Sequence, residues 1–221
     1  MPRKPEENWP RQPDQNCELC PRLAEFRAAN RLLLPDGHNA PVASFGPDNA
    51  RLLILGLAPG LHGANFTGRP FTGDWAGDML YPALLRFGFA SGAYGERADD
   101  GLHLLDCRIS NAVRCVPPQN KPTTQEIAAC RDFLVDEIAA MPNLRAILCL
   151  GRIAHDSAVK TLGEKAKACP FGHGAAHNIA QRSLTLYDSY HCSRYNTNTG
   201  VLTKDMFDAV FARIKADFST A

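Results

Sequence analysis

A chain of 221 residues that is 45% hydrophobic can bury a full core, and its length suits one large domain better than two small ones. A net charge of +1 gives no strong basic excess to mark a nucleic-acid partner, although an enzyme that touches few phosphates needs none. Its sequence excludes a membrane-spanning segment, since no apolar run reaches about 18 residues, and the polar start MPRKPEENWPRQPDQN lacks a signal core, so a cytoplasmic protein with no membrane partner is expected.

Residues 1–16 read as a loose, flexible arm, because Pro, Glu, Asn and Gln leave no face to pack, and a single domain is expected over 17–221. A helix is expected around 22–30. The apolar run 52–57 is short, continuous and ended by Ala58-Pro59-Gly60, which predicts a buried strand entering a loop. Further runs of this kind lie at 104–109, 146–150 and 184–190, with helical spacing or helix-start signals between them. Thr123 or Thr124 caps a helix through 130–140, bracketed by Pro122 and Pro142, and Thr203 caps the last helix, 204–218. Strands alternating with helices predict an α/β fold with a parallel sheet covered on both faces. Open parallel sheets bind ligands at the carboxyl ends of their strands, so chemistry is expected in the segments after Leu57, Ile109, Leu150 and Tyr190.

Eight cysteines dispersed through a chain with no export signal point to reduced thiols or metal ligands. Cys17 and Cys20 form a C-x2-C pair, and Cys115 and Cys130 supply two more thiols from a distant segment. Four thiolates suit tetrahedral zinc or an iron–sulfur cluster, and spacing does not choose between them. The competing assignment is a reduced pair plus two core thiols. A redox-active pair is disfavoured, because these cysteines precede the first strand. Cys107 and Cys149 belong to strands and therefore to the core, whereas Cys169 and Cys192 lie in loops without a second cysteine at ligand spacing.

From residue 56 to 81 the chain reads GLAPGLHGANFTGRPFTGDWAGDMLY, and six glycines there allow backbone to approach a ligand closely. Neither nucleotide-loop pattern, G-x-G-x-x-G or G-x4-G-K-S/T, occurs in it. This loop, the run NAVRCVPPQNKPT (111–123) and the run YHCSRYNTNTGVLT (190–203) together resemble the family 5, or type B, uracil-DNA glycosylases, in order and spacing and over most of the chain. The resemblance implies a three-layer α/β/α sandwich with a short, mainly parallel sheet. It also implies a four-iron four-sulfur (4Fe-4S) cluster on Cys17, Cys20, Cys115 and Cys130, and removal of uracil from DNA by hydrolysis. Hypoxanthine and xanthine are further candidate bases, and a monomer is expected.

Breaking the base–sugar bond develops positive charge on the deoxyribose and negative charge on the departing base, after the base has left the stack. Asp74 matches the family carboxylate that stabilises the sugar and orients water; its alternative use is to cap the helix beginning near Trp75. His191, at a strand end, matches the imidazole that donates to the base oxygen, against a purely structural histidine. Asn120 matches a family position that assists catalysis, against an ordinary turn asparagine. Gly56, Leu57 and Ala58 would line the substrate, with Ala58 standing where other uracil-DNA glycosylase families place a polar residue. Phe71 would stack on the flipped base, or simply pack in the core. Ser193, Arg194, Tyr195 and Asn196 would meet DNA with a hydroxyl, a cation and a bulky wedge, or form a solvated loop; Arg69 and Lys121 are further phosphate candidates.

The chain departs from the family pattern at Phe66, where an arginine is expected, at Cys192 and Tyr195, and at Asn111, where some members have alanine. In a related cluster-containing family the matching asparagine reads the pyrimidine edge, so Asn111 is expected to favour uracil. Absence of a polar group at Ala58 leaves one rival, a cluster-bearing DNA-binding module without glycosylase activity.

Overall fold

The computed structural model describes residues 12–220. Helix α1 (Pro21–Leu33) begins with proline in its first turn, where a missing N–H costs nothing. Strand β1 (Leu52–Gly56) is buried along its whole length. It leads through a loop to the single-turn α2 (Ala64–Thr67) and then to α3 (Trp75–Arg86), which Asp74 caps by accepting the Gly77 amide. Strands β2 (Ala90–Ser91) and β3 (His103–Leu104) form a small antiparallel ladder apart from the main sheet, which β4 (Cys107–Asn111) enters. A 3-10 turn over Pro118–Asn120 precedes α4 (Thr124–Ala139), where Thr123 and Glu126 close a reciprocal capping box. Then come β5 (Ala146–Leu150), α5 (Arg152–Leu162), β6 (Ala176–Ile179), β7 (Leu184–Ser189), α6 (Arg194–Asn198) and α7 (Lys204–Ser219), the last capped by Thr203.

The five-stranded sheet has the order β4-β1-β5-β7-β6, with every pair parallel except β6 against β7. The chain leaves β1 for β4 on one side and returns past it to β5 on the other. That reversal opens a crevice at the carboxyl end of β1. Alternation along each strand builds the layers: Leu52 and Ile54 face α3 and α7 through Leu80, Leu84, Phe207 and Phe211. Leu53 and Leu55 face α4 and α5 through Leu134, Ile138, Ala158 and Leu162. Each of these strand side chains is fully buried, a gain of about 1.5–3 kcal/mol apiece before ordering entropy is subtracted. The result is the three-layer α/β/α sandwich with a mainly parallel sheet.

Several boundaries differ from sequence expectation. The run 104–109 is not one strand: Asp106 adopts φ 56°, and its carboxylate accepts from the Arg51 amide and Nε, turning the chain between β3 and β4. The runs 52–57 and 184–190 each stop one residue early, at Gly56 and Ser189. Of the arm expected over 1–16, residues 1–11 lie outside the described residues. Within 12–16, Gln15 and Asn16 accept hydrogen bonds from the Arg31 guanidinium on α1. Among the described residues no helix is long and apolar enough to cross a membrane.

Candidate active site

A cavity of about 380 Å³ opens at the carboxyl edge of the sheet. Leu57, Ala58, Phe71, Asp74, Asn111, Asn120, His191, Ser193 and Arg194 all line it, so loops after β1, β4 and β7 converge there as the fold class predicts. The carbonyls of Gly56 and Leu57 accept from the amides of Ala112 and Val113, which locks the first two of these loops together.

Asp74 both caps α3 and lines the cavity. Its Oδ1 accepts the Gly77 amide at 3.1 Å, as a helix cap, while the side chain borders the cavity. Burial pushes its carboxyl above the ordinary range, the Gly77 and Ala76 amides oppose that, and nearby Asp78 adds to it. Gly63 packs directly against this carboxylate: a β-carbon there would stand 2.7 Å from Asp74 Oδ2. His191 follows β7, and burial holds its imidazole below the usual histidine range, which keeps it neutral near pH 7. Its ring lies 6.4 Å from that of Phe71, tilted by 34°. Phe71 is only 6% exposed and adopts φ 52°, a left-handed conformation that costs a non-glycine residue about 1–2 kcal/mol. Its ring belongs to the α3/α7 core and also lines the cavity, so both uses read from sequence stay open at this residue.

Asn111 ends β4 and is 3% exposed, yet its Oδ1 has no hydrogen-bond partner. A buried unpaired carbonyl oxygen on a cavity wall is complementary to a ligand N–H. Asn120 takes φ 57° on an exposed turn at the rim.

Three expected residues sit outside the cavity lining. Gly56 lies beneath it, where a β-carbon would collide with Asn111 Oδ1 at 2.4 Å and the Phe71 ring at 2.5 Å. Asn196 is a brace within its own loop, donating from Nδ2 to the His191 carbonyl at 2.9 Å. Tyr195 is 74% exposed on α6 and is not part of the cavity lining. Arg69 is not a phosphate ligand: it is buried, paired with both oxygens of Asp100 and bonded to Thr72, a network that stiffens the 56–81 loop. Lys121 accepts a hydrogen bond from Arg22 on its backbone carbonyl and is not part of the cavity lining. Phe66, at the departure from the family pattern, is part exposed on α2, and Cys192 is fully buried in the α3/α7 core.

Sequence reasoning missed Trp75. Its Nε1 donates to Thr197 Oγ1 at 2.7 Å, and the Arg194 guanidinium lies 5.5 Å over its ring, so it couples α3 to α6 at the cavity rim. The available signal is a tryptophan at the first position of a helix leaving a polar, glycine-rich loop.

Cys17, Cys20, Cys115 and Cys130 line one small apolar space with Leu23, Val113 and Phe133, bringing α1, the loop after β4 and α4 together. Burial pushes the Cys20 thiol up to about 11 and the Cys115 thiol up to about 12, with neighbouring thiols adding to both and Arg27 opposing at Cys115. Four thiols gathered from two distant segments onto one buried space fit the donor set of an iron–sulfur cluster, in which each thiolate binds a different corner, and equally that of tetrahedral zinc.

Comparison with known proteins agrees with this architecture. The family model for the uracil DNA glycosylase superfamily matches residues 43–215. A type-5 uracil-DNA glycosylase of Thermus thermophilus is 43% identical over 90% of this chain and 92% of its own length. That of Mycobacterium tuberculosis is 40% identical over 90% of this chain and 77% of its own. A type-4 uracil-DNA glycosylase of Pyrobaculum aerophilum shares 31% over 80% and 78%. With the family model spanning most of the chain and this degree of identity, the chain belongs to the uracil DNA glycosylase superfamily, in its type-5 branch.

Proposed function

We propose that the protein excises uracil from DNA by hydrolysing its N-glycosidic bond, flipping the base into the cavity and using water as the nucleophile. Hypoxanthine and xanthine are secondary substrates. The observation that carries this reading is one cavity in which a carboxylate, a neutral imidazole and an unpaired buried amide oxygen meet: Asp74, His191 and Asn111. Its volume of about 380 Å³ holds a pyrimidine with ordered water, a single water occupying about 30 Å³.

Each group has a task. The base departs with the bonding electron pair, and the His191 N–H donates to the base oxygen that gains charge; a neutral imidazole suits this, since it retains one donor without a buried cation. The Asp74 carboxylate stabilises the positive sugar and holds the attacking water. Asn120, at the rim, orients water or sugar, and Phe71 offers a ring face to the base. Leu57 and Ala58 border the base without a polar side chain, leaving Asp74 as the acidic group in the cavity lining. Ser193 and Arg194 meet phosphates, and exposed Tyr195 fills the gap left in the duplex. Among the described residues no lysine lines the cavity, which supports a monofunctional enzyme over a Schiff-base route.

A 4Fe-4S cluster on Cys17, Cys20, Cys115 and Cys130 would cross-link α1 to the loop that positions Asn111 and Asn120. The protein acts as a cytoplasmic monomer. Release of uracil, hypoxanthine and xanthine from single- and double-stranded oligonucleotides tests the proposal, with Asp74→Asn as control. Uracil release by the native chain that this variant loses is the expected result. DNA binding without release in the native chain would instead establish a binding module and overturn it.

A further inference from the structure

A second group of ligand atoms lies away from the cavity and the cysteines, between α5, β6 and β7. Asp188 on β7 is completely buried and follows Leu184 and Leu186 on the face turned to α4 and α5, an apolar setting in which a carboxylate needs compensation. His155 on α5, 1% exposed, places Nδ1 2.7 Å from Asp188 Oδ1 and Nε2 2.8 Å from the Cys169 carbonyl.

Hydrogen-bond chemistry limits what this arrangement can contain. A carbonyl oxygen only accepts, so Nε2 carries the hydrogen, and the Nδ1 of a neutral ring then aims its lone pair at a carboxylate oxygen. Two acceptors 2.7 Å apart need a shared cation, either a proton between them or a metal ion bound to both from one side. His177 on β6 favours the metal. Its Nε2 is buried without a hydrogen-bond partner and lies 3.6 Å from Asp188 Oδ2. A proton shared by His155 and Asp188 leaves that nitrogen unsatisfied, whereas a metal ion takes all three ligand atoms together. These atoms already lie within 4.8 Å of one another. The His155 bond to a backbone carbonyl is also the outer contact that fixes the ring of a metal-bound histidine.

We propose that His155 Nδ1, His177 Nε2 and Asp188 form a metal site separate from the cysteines, for a divalent transition cation with the imidazole and carboxylate preference of zinc. Solvent supplies the fourth ligand through the side of His177, whose side chain is 13% exposed. The ion pins edge strand β6 and the 163–175 segment to β7, three residues before His191.

Calorimetric titration of the cluster-loaded full chain with Zn2+ tests this, beside His177→Gln, which removes an unpaired ligand and breaks no hydrogen bond of the fold. Expected are one zinc per chain for the native protein and binding at least about tenfold weaker in the variant, with the cluster absorbance equal in both. Cu2+ bound to the native chain should show imidazole nitrogen splitting in its electron paramagnetic resonance spectrum, reduced in His177→Gln. Zinc uptake that is absent, or unchanged by His177→Gln, would overturn the site and leave a proton alone between His155 and Asp188.

Discussion

Asn111 at the end of β4 lies directly beside Gly56 at the end of β1, so close that any β-carbon on Gly56 would meet Asn111 Oδ1 at 2.4 Å. The bare backbone of Gly56 is what lets this amide stand at the cavity wall with a free oxygen. Asn111→Ala should lower uracil release by about 10–100-fold, the worth of one or two hydrogen bonds in an enclosed site. It should lower hypoxanthine release less, so the uracil-to-hypoxanthine ratio falls. An unchanged ratio would remove Asn111 from base reading. Gly56→Ala should displace the amide and the Phe71 ring together and produce the same loss from beneath the cavity.

Gly63 offers a second test through a residue that does not line the cavity. A methyl there stands 2.7 Å from Asp74 Oδ2, 2.8 Å from its Cβ and 3.0 Å from its Cγ, so the carboxylate must move. Since misplacement by about 1 Å costs around 10²-fold in rate, Gly63→Ala should lower kcat by about that factor with KM little changed. Wild-type kcat in Gly63→Ala would show that the position of Asp74 does not govern the reaction.

Asp74 also links activity to stability. Burial raises its folded-state pKa above the unfolded value, so ionisation costs the folded state free energy as pH rises through the folded value. At neutral pH, then, Asp74→Asn should raise Tm, since asparagine still caps α3 and carries no buried charge. That gain should vanish below about pH 3.9, where both carboxyls are protonated. Activity should fall by about 10²–10⁴-fold in the same variant. A lower Tm at pH 7 would contradict the assigned cost of burial.

The cysteine space makes a prediction about composition. The purified chain should be brown and carry about four irons, and Cys130→Ser should lose both colour and iron while lowering Tm, because α4 is then no longer tied to α1. Stoichiometric zinc in place of iron would overturn the cluster assignment.

Much of this was legible in the sequence, and the failures have physical causes. Strands β1 and β5 are continuous apolar runs between turn residues, and the caps at Thr123 and Thr203 follow from local side-chain chemistry. The convergence of Asp74, Asn111 and His191 followed from strand-end loops sharing one sheet edge. The break at Asp106 was not legible, because a carboxylate held by Arg51 from a distant segment sets that turn. Arg69 looked like a surface cation for the same reason, its partner Asp100 lying beyond α3 and β2. The group at His155, His177 and Asp188 has no motif, since α5, β6 and β7 each supply a single atom set and only tertiary structure joins them.

Helix α6 depends on a contact rather than on its own length. Five residues cannot sustain a helix in water, so Ser193 caps it, Asn196 ties it to the His191 carbonyl, and the Trp75 indole grips Thr197 with Arg194 stacked above. Trp75→Phe keeps a ring under Arg194 and deletes the N–H. It should loosen the segment that carries Tyr195 without altering the carboxylate or the imidazole. The expected outcome is a decrease in single-turnover rate on double-stranded DNA of about 5–30-fold, the worth of 1–2 kcal/mol, with a smaller effect on single strands, where no stacked partner needs replacing. Tyr195→Ala should show the same strand dependence. Equal losses on both substrates would assign Trp75 to the chemistry of the cavity and deny α6 its part in opening the duplex.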